Sequence, residues 1–208
     1  MLDLPVTLLY DMDRIPRDRP VSLLMRHSAR FPITDLALTY TIGLTEEGIQ
    51  MAEALGERLS VSFLPGRMLT APVGRCLATA EAIARGAGWR AEIGQDDRLS
   101  HPFMAPAWSM LEHGKVNGVL PFQVQVTLKF LLDHRPNPSL QGQPLLDIMV
   151  THDTVVGAMV GRLLGAPVLD ADWPGYLEGM FVWQEDDKVY ARWRRSEMIL
   201  SKEYARIG

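Results

Sequence analysis

The stretch Leu145-Leu-Asp-Ile-Met-Val-Thr-His-Asp-Thr-Val-Val-Gly-Ala-Met-Val-Gly-Arg-Leu-Leu164 changes its apolar period half-way along. Leu145 to Val150 is a short, nearly continuous apolar run, the pattern of a strand buried on both faces. Thr151-His152-Asp153 ends it. From Thr154 to Leu164 the residues Val155, Val156, Met159, Val160 and Leu163 fall on one side of a helix, and Gly165 then Pro167 stop it. A strand that becomes a helix within three residues is the opening of a βαβ unit.

The same grammar recurs upstream. Val21-Ser-Leu-Leu-Met25 reads as a buried strand. After the polar loop Arg26 to Gly43, Thr45 caps a helix with Glu46 and Glu47 in its first turn, where they suit the helix dipole. That helix carries Ile49, Ala52, Gly56 and Leu59 at helical spacing and ends near Ser60. Arg67 to Thr70 reads as a further strand. A helix opens at Pro72, carries Cys76, Ala80 and Ile83 as a stripe, and is ended by Gly86 and Gly88. Trp89 to Ile93 is a candidate strand. Gly179 to Gln184 and Lys188 to Trp193, joined by Glu185-Asp-Asp187, read as a β-hairpin. The alternation predicts a three-layer α/β/α sandwich around a mostly parallel central sheet. All 208 residues form one domain, with a small lid inserted at about 94–143, where the pattern loosens.

Composition narrows the class. Apolar residues make up 47% and charged residues 22%, which excludes a disordered tail, a collagen-like fibre and a disulfide miniature. Lys plus Arg number 21 against 25 acidic residues, a net charge of −4. A general nucleic-acid or anionic-membrane binder carries a basic excess, so neither partner is expected. The single cysteine, Cys76, allows no internal disulfide. The apolar stretch Leu4 to Tyr10 precedes its charges, the reverse of a secretory signal, and no window approaches a membrane span. The expected location is the cytoplasm.

Three predicted strands end in groups that handle anions or protons: Arg26-His27 with Arg30 nearby, Arg75 just beyond its strand, and His152-Asp153. In an open α/β sheet the carboxyl ends of the strands form the ligand crevice, so these groups can converge there. Three guanidiniums brought together repel one another, and each is costly to desolvate. Asp153 alone cannot neutralise three. The inference is a bound dianion, and phosphate is the anion that planar arginine forks fit best. Amides at the helix starts near Val73 and Thr154 would add donors. His27, His152 and Asp153 could instead be a two-histidine, one-carboxylate metal set. No HxxH or HExxH spacing supports that, and the arginines would repel a cation, so no metal and no cofactor are expected.

Leu24-Met-Arg-His-Ser-Ala-Arg-Phe-Pro32 resembles the RHGxRxP signature of the histidine phosphatase (phosphoglycerate mutase-like) superfamily, closest to its acid-phosphatase branch. Leu44-Thr-Glu-Glu-Gly48, Thr70-Ala-Pro-Val-Gly-Arg-Cys76 and Thr151-His-Asp153 resemble later family blocks in the usual order, and Tyr176-Leu-Glu-Gly179 is a weaker match. Together they span roughly residues 21 to 193. The resemblance implies a phosphomonoesterase acting on a small phosphorylated metabolite through a covalent phosphohistidine on His27. Arg26, Arg30 and Arg75 would hold the phosphoryl oxygens, with His152 as a further donor and Asp153 as the proton donor to the leaving oxygen. Alternatives are a mutase that returns the phosphoryl group to another hydroxyl, and a non-catalytic phosphate-binding regulatory module. His27 must be neutral to attack, and the arginine charges favour that form. Ser28 stands where the family carries glycine, so it either strains the backbone there or brings its hydroxyl into the anion site. With Phe31 and Trp108 it is a candidate for the substrate pocket. Arg192, Arg194 and Arg195 read as a solvated basic run.

Overall fold

The computed structural model describes residues 4–100, 129–133, 142–164 and 173–200. The chain opens with α1 (Val6–Met12), followed by β1 (Val21–Arg26), α2 (Glu46–Ser60), β2 (Leu64–Thr70), α3 (Gly74–Ala87) and β3 (Ile93–Gln95). After the middle stretch come β4 (Leu145–Thr151), α4 (Asp153–Leu164), β5 (Gly179–Glu185), β6 (Lys188–Trp193) and β7 (Ser196–Leu200). The seven strands form one sheet in the order β3-β2-β4-β1-β5-β6-β7. Pairings among β3, β2, β4 and β1 are parallel, while β5, β6 and β7 extend the sheet antiparallel. Helices cover both faces of this three-layer α/β/α sandwich. On one side α2 packs on α3, and α3 on β2, β3 and β4; α4 packs on β1, β5 and β7, and α1 on β5 and β6.

The register explains how distant residues meet. β4 lies between β1 and β2, with Arg26 opposite Thr151 and Thr70 opposite Val150. Parallel pairing puts all three carboxyl ends on one edge. Two backbone bonds continue the ladder past the strands: His27 N–H donates to Thr151 O and Ala71 N–H to Val150 O, each at 2.9 Å. The strands that carry this edge are mostly apolar, with Ser22 and Asp147 as buried polar exceptions. Val21, Leu23, Leu24 and Met25 of β1 and Ile148, Met149 and Val150 of β4 are fully buried.

Thr45 caps α2 as expected, its hydroxyl accepting from Gly48 N–H at 3.0 Å. Pro72 lies two residues before the first turn of α3, whose N-cap is Val73. Gly88 ends α3 with a left-handed backbone, φ 67°. Gly86 does not end it but lies inside its last turn, because α2 passes so close there that a Cβ would sit 2.0 Å from Glu53 O. The third strand is Ile93–Gln95 rather than Trp89 to Ile93, since Trp89 N–H still bonds back to Ala84 O at the helix end. It is a member of the sheet, so the stretch at about 94–143 departs from the sheet only after Gln95; most of that stretch, His101, His113 and His134 included, lies outside the described residues, as do Gly165 and Pro167. Two elements carry little sequence signal: α1 is seven residues long, below the length at which propensity alone makes a helix, and β7 is a five-residue edge strand with mostly exposed side chains.

The basic run near the C-terminus is not a solvated face. Arg192 pairs with buried Asp11 at 3.0 Å and with Glu197 at 3.1 Å, and Arg194 pairs with Glu178. The turn between β6 and β7 puts Arg194 and Arg195 at positive φ, and of the three arginines Arg195 is the exposed one. No described helix is long and apolar enough to cross a membrane.

Gly86→Ala, a change that in an open helix gains up to about 1 kcal/mol, should here cost about 1–3 kcal/mol through the clash with α2. Thermal unfolding should fall by roughly 5 °C; a rise in Tm would refute the close approach.

Candidate active site

His27 follows the last residue of β1 and is 2% exposed. Its Nδ1 lies 2.8 Å from Ser28 O. A carbonyl only accepts, so Nδ1 must carry the ring proton, which leaves the lone pair of the neutral imidazole on Nε2. Arg75 Nε–H donates to that Nε2 at 3.0 Å. The second guanidinium arm, Nη2, lies 3.3 Å from His152 Nδ1, and Nη1–H donates to Thr39 O at 2.6 Å. One arginine from the first turn of α3 thus joins the end of β1, the end of β4 and the loop between β1 and α2. Its main chain is fixed in turn: Thr79 Oγ1 donates to Arg75 O and accepts Ser28 N–H at 3.0 Å.

Burial is the main reason that the His27 pKa is pushed down to about 2, against the Ser28 carbonyl, which favours the charged ring. The charges of Arg75, His152 and Arg26 add to the depression. Arg75 is also lowered from its ordinary value, chiefly by burial, as is Arg26. The Cys76 thiol is pushed up to about 12 by burial and sits in the core 3.7 Å from Thr151 O, as its place on the helix stripe implied.

Arg26, the last residue of β1, makes a different set of contacts. Its Nη2 pairs with Asp153 at 2.9 Å and its Nη1–H donates to Pro174 O at 2.6 Å. Its Nε–H is buried without an acceptor among the described residues. The guanidinium lies 4.3 Å from the centre of the Tyr176 ring, a cation–π distance, and that ring is 5.9 Å from the His27 ring. Arg30 adds its charge to the same region, where it opposes the charging of both Arg26 and Arg75. Its Nη1–H donates to Phe31 O. The structure therefore gathers Arg26, His27, Arg30, Arg75, His152 and Asp153 at one end of the sheet.

Some expectations change in detail. Ser28 has no positive φ, so it is unstrained. It is fully buried and its hydroxyl donates to Gly48 O at 2.6 Å, tying the loop to α2 instead of facing a ligand. The Thr154 amide in the first turn of α4 is taken as well, since it donates to Asp153 Oδ1 at 2.8 Å. Phe31 stands on the rim, 56% exposed. Trp108 lies outside the described residues. Among the described residues no three His, Cys, Asp or Glu side chains gather as a metal shell. Thr39 O and Pro174 O were not legible because a backbone acceptor has no side-chain signature. Tyr176 had a signal, the weak fifth block, without a reason to place it beside an arginine.

The family model of the histidine phosphatase superfamily (branch 1) matches residues 23–122. The match spans just under half of the chain, and over those residues the chain is similar to that superfamily. The match covers most of β1, His27 and Arg75, while His152-Asp153 lies beyond it. No curated protein sequence matches the chain. Solved structures of similar fold include a mycobacterial glucosyl-3-phosphoglycerate phosphatase, 17% identical, with 87% of this chain and 100% of that one covered and a TM-score of 0.55. A mutant phosphoserine phosphatase from Entamoeba histolytica in complex with phosphoserine is 15% identical over 89% of this chain and 98% of that one, TM-score 0.54. YhfR of Bacillus stearothermophilus is 21% identical over 80% and 92%, TM-score 0.51. At such identities the likeness is one of fold.

A depressed histidine binds its proton in the unfolded chain first. The stability tied to a neutral, buried His27 is therefore complete above pH about 6.5 and is lost as pH falls toward about 2. Denaturant unfolding between pH 7 and 4 should show a loss of up to about 1.4 kcal/mol per pH unit from this group. His27→Gln should remove that increment, and equal slopes for both proteins would contradict the burial of a neutral ring.

Proposed function

We propose that this protein is a member of the histidine phosphatase superfamily and a phosphomonoesterase that transfers a phosphoryl group to His27 Nε2 and then to water. The observation that carries the reading is the imidazole fixed between Ser28 O and Arg75, with its lone pair aimed among guanidinium donors. A neutral, buried lone pair beside fixed positive charge suits attack on a phosphate dianion, whose oxygens the arginines neutralise. The names of two fold neighbours, a glucosyl-3-phosphoglycerate phosphatase and a phosphoserine phosphatase, support the reaction class.

In the first step the Arg75 Nε–H passes from Nε2 to a phosphoryl oxygen, the freed Nε2 lone pair forms a bond to phosphorus while the bond to the ester oxygen breaks, and Asp153, entering as the carboxylic acid, gives that oxygen a proton. In the second step water adds to phosphorus, its proton passes to the Asp153 carboxylate, and the N–P electron pair returns to Nε2. Arg26, Arg30 and Arg75 hold the equatorial oxygens through both steps, and His152 contributes a further donor. A phosphoryl dianion competes with Thr39 O for Arg75 and with the Asp153 carboxylate for Arg26. The buried Nε–H of Arg26 is a donor to spare for it. The substrate class read from this site is a small phosphorylated metabolite. The chemistry is assigned to protein side chains alone.

Phosphate should be released from p-nitrophenyl phosphate in the presence of EDTA, and His27→Ala should reduce the rate by about 10³-fold or more. Rapid acid-free quenching should trap an alkali-stable phosphoprotein in the wild type that the variant lacks; undiminished hydrolysis by the variant would end the proposal. A leaving-group comparison tests Asp153 separately. Asp153→Asn should slow an alkyl phosphate by about 10²–10⁴-fold and p-nitrophenyl phosphate by less than about 10-fold, since a good leaving group needs no proton. Equal losses on both substrates would remove Asp153 from the acid role.

A further inference from the structure

The loop from Phe31 to Ile42 displays Phe31, Leu36, Leu38 and Tyr40 at 56%, 87%, 47% and 61% exposure. These are four of the seven exposed large apolar side chains among the described residues. Isolated apolar groups on a surface need no explanation, whereas a concentration of them on one short segment marks a binding surface. The loop does not hold its shape by burying them. Its own polar groups do that work: Asp35 Oδ1 accepts Ala37 N–H, Thr39 Oγ1–H donates to Leu36 O, and Thr41 Oγ1–H donates to Leu38 O. With its hydrogen bonds satisfied inwardly, the segment turns its apolar side chains outward.

The position of the loop supplies the occupant. Thr39 O receives the Nη1–H of Arg75, the same guanidinium whose Nε–H reaches His27, so the loop stands one hydrogen bond from the nucleophile's partner. Phe31 N–H donates to Gly43 O and Arg30 bridges Leu44, which closes the base of the loop beside the site. On another side the half-buried ring of Tyr176 approaches the same imidazole. From Phe31 to Ile42 the one ionisable side chain besides Tyr40 is Asp35, and it caps the loop's own turn. An anionic second group on a ligand would meet carboxylate and hydrocarbon here.

We infer that the loop from Phe31 to Ile42 is the seat for the organic part of the ligand, and that this part is apolar: an alkyl or aryl phosphate monoester with one anionic group. The inference rests on the reading of His27 and its arginines as a phosphate site, and it deepens that reading by naming the substrate class. Leu36, Leu38 and Tyr40 determine specificity without taking part in the chemistry.

Alkylphosphonates test this without turnover. The dissociation constants of methyl-, butyl- and hexylphosphonate for the full chain, measured by calorimetry, should fall about 2–4-fold for each added methylene. The double variant Leu36→Ser, Tyr40→Ser, which changes only exposed side chains, should cut that gain to below about 1.5-fold per methylene. Affinities that do not change with chain length overturn the inference. So does a gain that survives in the variant, because the contact then lies elsewhere. Sedimentation that shows a dimer of the wild type dispersed by the variant also overturns it, since a second copy would then hold the patch. Because phosphonates need only bind, a chain-length gain without hydrolysis of any ester would retain this inference and defeat the phosphatase reading; ester hydrolysis without the gain would do the reverse.

Discussion

A guanidinium N–H directed at a neutral imidazole nitrogen depends on several things being true together. The imidazole must be unprotonated, its other nitrogen must already have spent its proton, and neither group can escape to water. In this protein Ser28 O takes the Nδ1 proton and burial suppresses the charge on His27. Arg75 is then left facing a lone pair. The strand order of the β-sheet is what brings the two groups together. With β4 between β1 and β2, the residue after β1, the residue after β4 and the first turn of α3 share one edge.

Crowded positive charge is managed here with lone pairs more than with counter-ions. The described partners of Arg75 are the His27 and His152 rings and the Thr39 carbonyl, none of them an anion. Arg26 has one carboxylate, Asp153, and one carbonyl, Pro174 O. Such partners satisfy hydrogen-bonding demand while leaving net positive charge in place, and that is the condition an anion site needs. A fully ion-paired cluster would be more comfortable alone and weaker toward phosphate.

The scaffold around Arg26 reaches far along the chain. Glu178 O accepts Arg26 N–H, and the Glu178 carboxylate accepts Gly175 N–H, the Thr7 hydroxyl and the Arg194 guanidinium. Those partners lower the Glu178 pKa against the burial that would raise it. Helix α1 and the turn before β7, two parts with no catalytic group of their own, thereby hold the segment that carries Pro174 O and the Tyr176 ring. Their short length and irregular pattern hid them from periodicity, because their stability comes from tertiary partners.

Periodicity and punctuation in the chain already specified the strand–helix alternation, since a change in apolar period from Val150 to Thr154 or from Met25 to Thr45 is a local property. The same local reading placed Arg26-His27, Arg75 and His152-Asp153 just past strand ends, because charged groups there cannot be explained by burial in a sheet. Other features required the folded chain. The antiparallel β7, the inward turn of Arg192 and Arg194, the Ser28 hydroxyl on Gly48 O and the Thr39 and Pro174 carbonyls on the two arginines all depend on partners distant in sequence. A backbone carbonyl looks the same in every residue, and a side chain's partner is chosen by the packing of whole layers, so only the assembled sheet and its helices could settle them.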